Sequence, residues 1–150
     1  DLKNASVKLA RTTNLIYSRY FLKGMKKKMK RKSEVIPALC RFKLEGIRSI
    51  LEFDERITAP LNGYSSALEY YRVNSCLNFL DRITTPTLVI NAKNDPFLTP
   101  GCSPEMAYDG HPFVRFLTPD HGGHVGFYQS GGRYWSEKVT IDYFNNLAIE

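Results

Sequence analysis

Pro86-Thr-Leu-Val-Ile-Asn-Ala-Lys-Asn-Asp95-Pro-Phe97 is a short apolar run that leaves a turn and stops at an acid. Its centre, Thr87-Leu-Val-Ile90, does not alternate, which is the pattern of a strand buried on both faces, as in a parallel sheet covered by helices. A loop rich in Pro, Gly, Asn and Asp then runs from Asn94 to Pro112. A second strand follows, Phe113-Val-Arg-Phe-Leu117, and leads into His121-Gly-Gly-His124-Val-Gly-Phe127. Functional groups in open α/β sheets gather beyond the carboxyl ends of the strands. If the two strands are parallel neighbours, Asp95 and His124 arrive on the same rim. The carboxylate can then accept Nδ1–H of the histidine and fix its tautomer, leaving Nε2 to take a proton from a serine.

Plainer readings compete at each position. An acid before proline commonly opens a turn, and His-Gly-Gly-His can be a loop with an incidental histidine. A metal site built from His121, His124 and an Asp is a third option. Metal-binding His pairs at this spacing usually sit on a helix, and two central glycines oppose one. Glycine here suits a loop that passes close to the acid and the substrate.

Upstream, the chain reads as almost entirely helical for about eighty residues. Val7, Leu9, Ile16, Tyr17, Tyr20 and Phe21 fall near helical spacing and predict one helix from about Leu2 to about Met29. Phe42, Ile47, Ile50, Leu51 and Ile57 predict a second over Arg41 to Ile57, broken by Pro60 and Asn62-Gly63. Ser65 or Ser66 can cap a further helix over Ala67 to about Asn74, with Glu69 near its start. A short turn around Cys76 to Leu80 follows. After the second strand, Gly131-Gly132 precedes a final helix, about Arg133 to Leu147, with Tyr134, Trp135, Val139, Tyr143, Phe144 and Leu147 on its apolar face. Two strands alone make a poor sheet, so further strands are expected upstream of this sequence.

Composition bounds the rest. A chain of 150 residues with 43% hydrophobic and 13% aromatic residues is globular and can bury a core. No run approaches the roughly 18 to 20 apolar residues of a membrane helix. Asp1-Leu-Lys-Asn-Ala-Ser is polar and no apolar h-region follows it, so no secretory signal is expected. Asp1 in place of an initiator methionine reads as an excerpt of a longer chain. Cys40, Cys76 and Cys102 form no C-x-x-C pair, which favours reduced thiols and a cytoplasmic setting. The net charge of +6 is local: Lys23-Gly-Met-Lys-Lys-Lys-Met-Lys-Arg-Lys32 holds seven basic residues, and the remainder is close to neutral. The plain reading is a solvated helix end whose cations complement the macrodipole. The Lys23–Lys32 region could also make weak contact with an anionic membrane surface. Nucleic acid is not expected, because no aromatic or glycine-rich element is interleaved with the charges.

Leu51-Glu-Phe-Asp-Glu-Arg-Ile-Thr-Ala-Pro-Leu-Asn-Gly-Tyr64, Tyr70-Tyr71-Arg-Val-Asn-Ser75, Thr85-Pro-Thr-Leu, Asn91-Ala-Lys-Asn-Asp-Pro-Phe-Leu98 and His121-Gly-Gly-His-Val-Gly-Phe127 together resemble the YheT-like, ABHD-related branch of the α/β-hydrolase superfamily. The resemblance covers essentially the whole chain. It implies an α/β fold: the C-terminal part of such a hydrolase, with a helical lid-like region over 1–82, then a core segment over 83–150 holding the last two parallel strands and a C-terminal helix. It implies that Asp95 is the triad acid and His124 the base, with no cofactor and an ester or lipid substrate. The family pattern often carries two acids before Pro-Phe, and here the first is Asn94. His121 matches a more variable position.

The family's nucleophile sits on a G-x-S-x-G elbow between a strand and a helix, and no such motif occurs in this sequence. Gly63-Tyr-Ser65-Ser-Ala67 has no strand before it. Gly101-Cys-Ser103-Pro104 lacks the second small residue, and Ser130 follows the histidine, in the wrong order. The serine and the oxyanion hole are therefore expected in the missing N-terminal half, and the 150 residues alone are expected to be inactive. Two further readings stay open: acyl transfer to an alcohol on the same triad, and a non-catalytic helical interaction module on a degenerate hydrolase scaffold.

Overall fold

A computed structural model of the chain describes residues 1–102 and 109–147. The chain divides into two compact units, Asp1–Ser75 and Cys76–Glu150.

The first unit is helical. Helix α1 (Leu2–Leu9) is capped by Asp1, whose carboxylate accepts the N–H of Asn4 at 2.9 Å. The expected single helix to Met29 does not form. A 3₁₀ turn at Thr12–Asn14 interrupts it before α2 (Leu15–Val35). Thr12 and Thr13 are β-branched, and buried Asn14 turns its Nδ2 back to the carbonyl of Lys8, competing with the helix ladder. The break resets the helical phase. Leu22, Met25 and Met29 form the inward stripe of α2, whereas Ile16 is 82% exposed and Tyr20 74% exposed.

The basic run also sits differently from the expectation. It lies within α2, which continues to Val35 and stops before Pro37, where the residue ahead of a proline is driven to extended backbone. Lys26 turns inward and donates to the carbonyl of Ile47 at 2.6 Å. The core of this unit joins Leu22 and Met29 to Leu39, Ile47, Phe53 and Ile57.

The helix expected over Arg41–Ile57 is later and shorter. It starts at α3 (Ile50–Phe53), with Ser49 accepting the N–H of Glu52. It then widens into a π turn over Asp54–Thr58 and closes as α4 (Ala59–Leu61). Pro60 is thus inside the helix and not its breaker. The N–H of Ala59 reaches five residues back to Asp54, so the chain adopts wider pairing just before a residue that has no N–H to donate. Helix α5 (Ala67–Asn74) starts as expected: Ser66 accepts from Glu69 N–H, while the Glu69 carboxylate accepts the N–H and hydroxyl of Ser65. Those two bonds hold the Glu69 carboxyl below its usual range.

One buried polar knot ties these helices together. The Tyr71 hydroxyl donates to Asp54 Oδ2, and Thr58 Oγ1 donates to Asp54 Oδ1 at 2.6 Å. Burial, then the bond to Asp54, pushes the Tyr71 hydroxyl well above its ordinary pKa. The unfolded chain releases this proton from about pH 10, where the folded chain keeps it. The folded state then binds more protons, so this contribution to stability is full below about pH 10 and falls as pH rises through the folded value. Tyr71→Phe is expected to lower stability by about 1–3 kcal/mol by leaving Asp54 short of a donor. It should also flatten the loss of stability above about pH 10. Urea unfolding across that range checks both; equal alkaline slopes in wild type and variant would contradict the second.

The second unit opens with short 3₁₀ turns at Cys76–Asn78 and Leu80–Arg82. Strands β1 (Thr87–Ile90) and β2 (Val114–Leu117) pair in parallel, with Thr87 opposite Val114 and Ile90 opposite Leu117. Every residue of β1 is half-buried, where burial on both faces was expected. The described sheet has one partner strand for β1, and helix α6 (Trp135–Leu147) packs against it. A small hairpin, β3 (Tyr128–Gln129) and β4 (Arg133–Tyr134), takes the residues expected to start the last helix. Gly131 and Gly132 both have positive φ, 86° and 76°, and turn the chain between its strands, so α6 begins only at Trp135. A helical unit followed by a parallel pair with a helix against it is compatible with part of an α/β fold.

Candidate active site

The site grows out of the β1–β2 ladder. Beyond the strands, Asn91 N–H donates to Leu117 O at 3.1 Å, and Lys93 N–H donates to Pro119 O at 2.9 Å. The Lys93 ammonium meets Asp120 Oδ1 at 2.8 Å, and this ion pair holds the Asp120 carboxyl below its usual range. Asp95 and His124 come next along the same seam.

Asp95 Oδ1 accepts the N–H of Phe97 at 2.8 Å, spanning Pro96. Asp95 Oδ2 lies 2.8 Å from His124 Nδ1. Each carboxylate oxygen thus has its own partner, one in the turn and one on the histidine ring. The Asp95 side chain is 3% exposed and that of His124 is 51% exposed. When Asp95 is ionised its carboxylate only accepts, and Nδ1 then carries the hydrogen of this bond. In the neutral ring Nε2 is then the basic nitrogen. Phe97 and the imidazole pack edge to face, with ring centroids 4.9 Å apart.

The loop before His124 is shaped by close packing. A Cβ on Gly122 would lie 2.5 Å from Phe127 Cδ1 and 3.0 Å from Ala92 Cβ, so only glycine fits beside the end of β1. Gly123 has φ of 59°. The Gly122 carbonyl accepts the N–H groups of Gly126 and Phe127, closing a turn, and buried Phe127 stacks on Trp135 at 6.0 Å.

Of the sequence candidates, Asp95 and His124 are brought together. His121 is exposed in the turn and is not hydrogen-bonded to either. Among the described residues no group of three His, Cys, Asp or Glu could hold a metal ion, and no helix is long and apolar enough to cross a membrane. Cys40 and Cys76 are exposed and Cys102 is buried. Ser65 donates its hydroxyl to the Glu69 carboxylate, Ser130 lies in the turn between β3 and β4, and Ser103 lies outside the described residues. Sequence reasoning missed Asn94 as a structural partner. Its Oδ1 accepts both Gly122 N–H at 3.1 Å and Gly123 N–H at 2.8 Å. Its only sequence signal was its standing where the resembling family often has a second acid.

Curated proteins match this chain at significant identity. YheT of Escherichia coli is 37% identical over 129 residues, covering 84% of this chain. This chain is a relative of the YheT- and ABHD-like α/β-hydrolases. Medium-chain fatty acid ethyl ester synthase/esterase 2 of Saccharomyces cerevisiae is 35% identical over 70% of the chain. Human monoacylglycerol lipase ABHD2 is 31% identical over 67% of it. The chain spans 38%, 23% and 25% of the lengths of these three hydrolase relatives. No protein-family model and no solved structure matches it.

Proposed function

We propose that this chain is the C-terminal part of a serine hydrolase of carboxylic esters, with Asp95 and His124 as its triad acid and base. The observation that carries the reading is the 2.8 Å bond from His124 Nδ1 to a buried carboxylate, on loops that leave adjacent parallel strands. The helical first half would serve as a lid-like region, and β1 and β2 as the last core strands.

In this reading the serine comes from outside the 150 residues, which contain no G-x-S-x-G elbow. The serine oxygen attacks the ester carbonyl while Nε2 of His124 takes its proton. The tetrahedral intermediate collapses, the C–O bond to the alcohol breaks, and His124 returns the proton to that alcohol. Water then repeats the sequence and releases the acid. Asp95 stabilises the imidazolium formed in each half and holds the ring.

Esters with acyl chains are the substrate class this reading takes, since relatives are named for fatty acid ethyl esters and monoacylglycerol. The yeast name, synthase/esterase, favours one second reading: an alcohol can take the place of water in the second half, giving a new ester. Hydrolysis of a medium-chain p-nitrophenyl ester by the full-length protein, with and without added ethanol, tests both. Acid as the main product supports hydrolysis, ethyl ester supports transfer, and no turnover of any ester counts against the proposal. A non-catalytic interaction module would show no turnover and no effect of changes at His124.

A further inference from the structure

We infer that Asn94 is a positioning residue that sets His124 against Asp95, an inference that rests on the function proposed above. Three consecutive residues at the end of β1 hold three successive points of the opposite loop. Lys93 holds Pro119 and Asp120, Asn94 holds Gly122 and Gly123, and Asp95 holds His124. Asn94 is the middle stitch, and it grips the two residues with no side chain of their own to anchor. Gly123 is in left-handed backbone and Gly122 has no room for a Cβ, so nothing but main-chain groups can secure this turn. One amide oxygen accepting from two successive N–H groups fixes the plane of the turn and thereby the start of the His124 side chain.

The residue type matters for charge. A carboxylate at position 94 could accept the same two N–H groups, but would add a second negative charge near the imidazole. The charged and titratable groups already around this loop are Asp95, the Lys93–Asp120 pair and His121. Asparagine supplies the acceptor without that charge.

The test uses the full-length protein and three variants. Asn94→Ala should lower kcat about 10- to 100-fold with KM little changed, since a misplacement of about 1 Å can cost about 10². It should also speed amide hydrogen exchange at Gly122 and Gly123. Asn94→Asp should restore slow exchange and most of kcat, while moving the acid limb of the kcat–pH profile upward, because an added anion favours the charged imidazolium. A kcat for Asn94→Ala within twofold of wild type would overturn the inference. So would an equal loss in both variants, since a charge-tolerant acceptor role requires rescue by Asp. If Asn94→Ala does not fold, the pH profile of Asn94→Asp decides, and an unmoved limb counts against the inference. His124→Ala run in parallel separates the two levels. If it stays active, the proposed triad has failed. If it is inactive while Asn94→Ala is fully active, only the role of Asn94 has failed.

Discussion

His124→Ala in the full-length protein is expected to reduce ester turnover by about 10⁵- to 10⁶-fold, to the level left by binding and any oxyanion hole. The reason is chemical. In the proposed cycle each half needs a proton taken from an oxygen nucleophile and returned to an oxygen leaving group, and Nε2 of His124 is the group assigned to both transfers. The side chain is half-exposed and its sole described hydrogen bond is to Asp95, so removing it leaves little of the fold unsupported. Thermal unfolding should shift by only a few degrees while kcat collapses. Steady-state hydrolysis measured beside a melting curve checks this, and turnover within tenfold of wild type would refute the assignment.

Asp95→Asn is expected to cost about 10³ to 10⁴ in kcat. The substitution keeps Oδ1, which accepts from Phe97 N–H, so the turn before Pro96 persists. What changes is the partner of His124. An amide NH₂ turned toward Nδ1 makes that nitrogen an acceptor and moves the ring hydrogen to Nε2, the wrong tautomer for taking a proton from serine. An amide oxygen turned toward Nδ1 keeps the tautomer but no longer offsets the charge of the imidazolium, and it sets the NH₂ against the Phe97 N–H. KM should change little, because neither group binds the ester. A fall in kcat/KM that came entirely from KM would place Asp95 in substrate binding and not in the acid–base pair.

The meeting of Asp95 and His124 was legible because strand ends, order and chemistry coincide at them. Thr87-Leu-Val-Ile90 ends shortly before Asp95, and the parallel register then carries the second loop to the same rim. Asn94 was not legible as an anchor, since its two partners are backbone N–H groups 28 and 29 residues away that only the folded loop presents. Gly122 could be read as a loop glycine, but its reason, a Cβ in collision with Phe127 and Ala92, is a matter of packing. In the helical half, periodicity identified helix but misjudged its phase. Asn14 and the two threonines before it reset α2, so the stripe read from Ile16 to Phe21 faces solvent and the buried stripe begins at Leu22. Pro60 misled in the same way, because a π turn lets a helix pass through a proline that α pairing rejects. The β3–β4 hairpin escaped because its strands are two residues long, too short for any alternation to register.

The central claim is that Asp95 and His124 serve a serine that these 150 residues do not contain. Labelling the full-length protein with a fluorophosphonate, followed by peptide mapping, tests it most directly. The expected result is one modified serine, outside this sequence and on a Gly-x-Ser-x-Gly turn, whose labelling is lost in His124→Ala. Stoichiometric modification of Ser65, Ser103, Ser130 or any other serine of this chain, or labelling undiminished in His124→Ala, would contradict it.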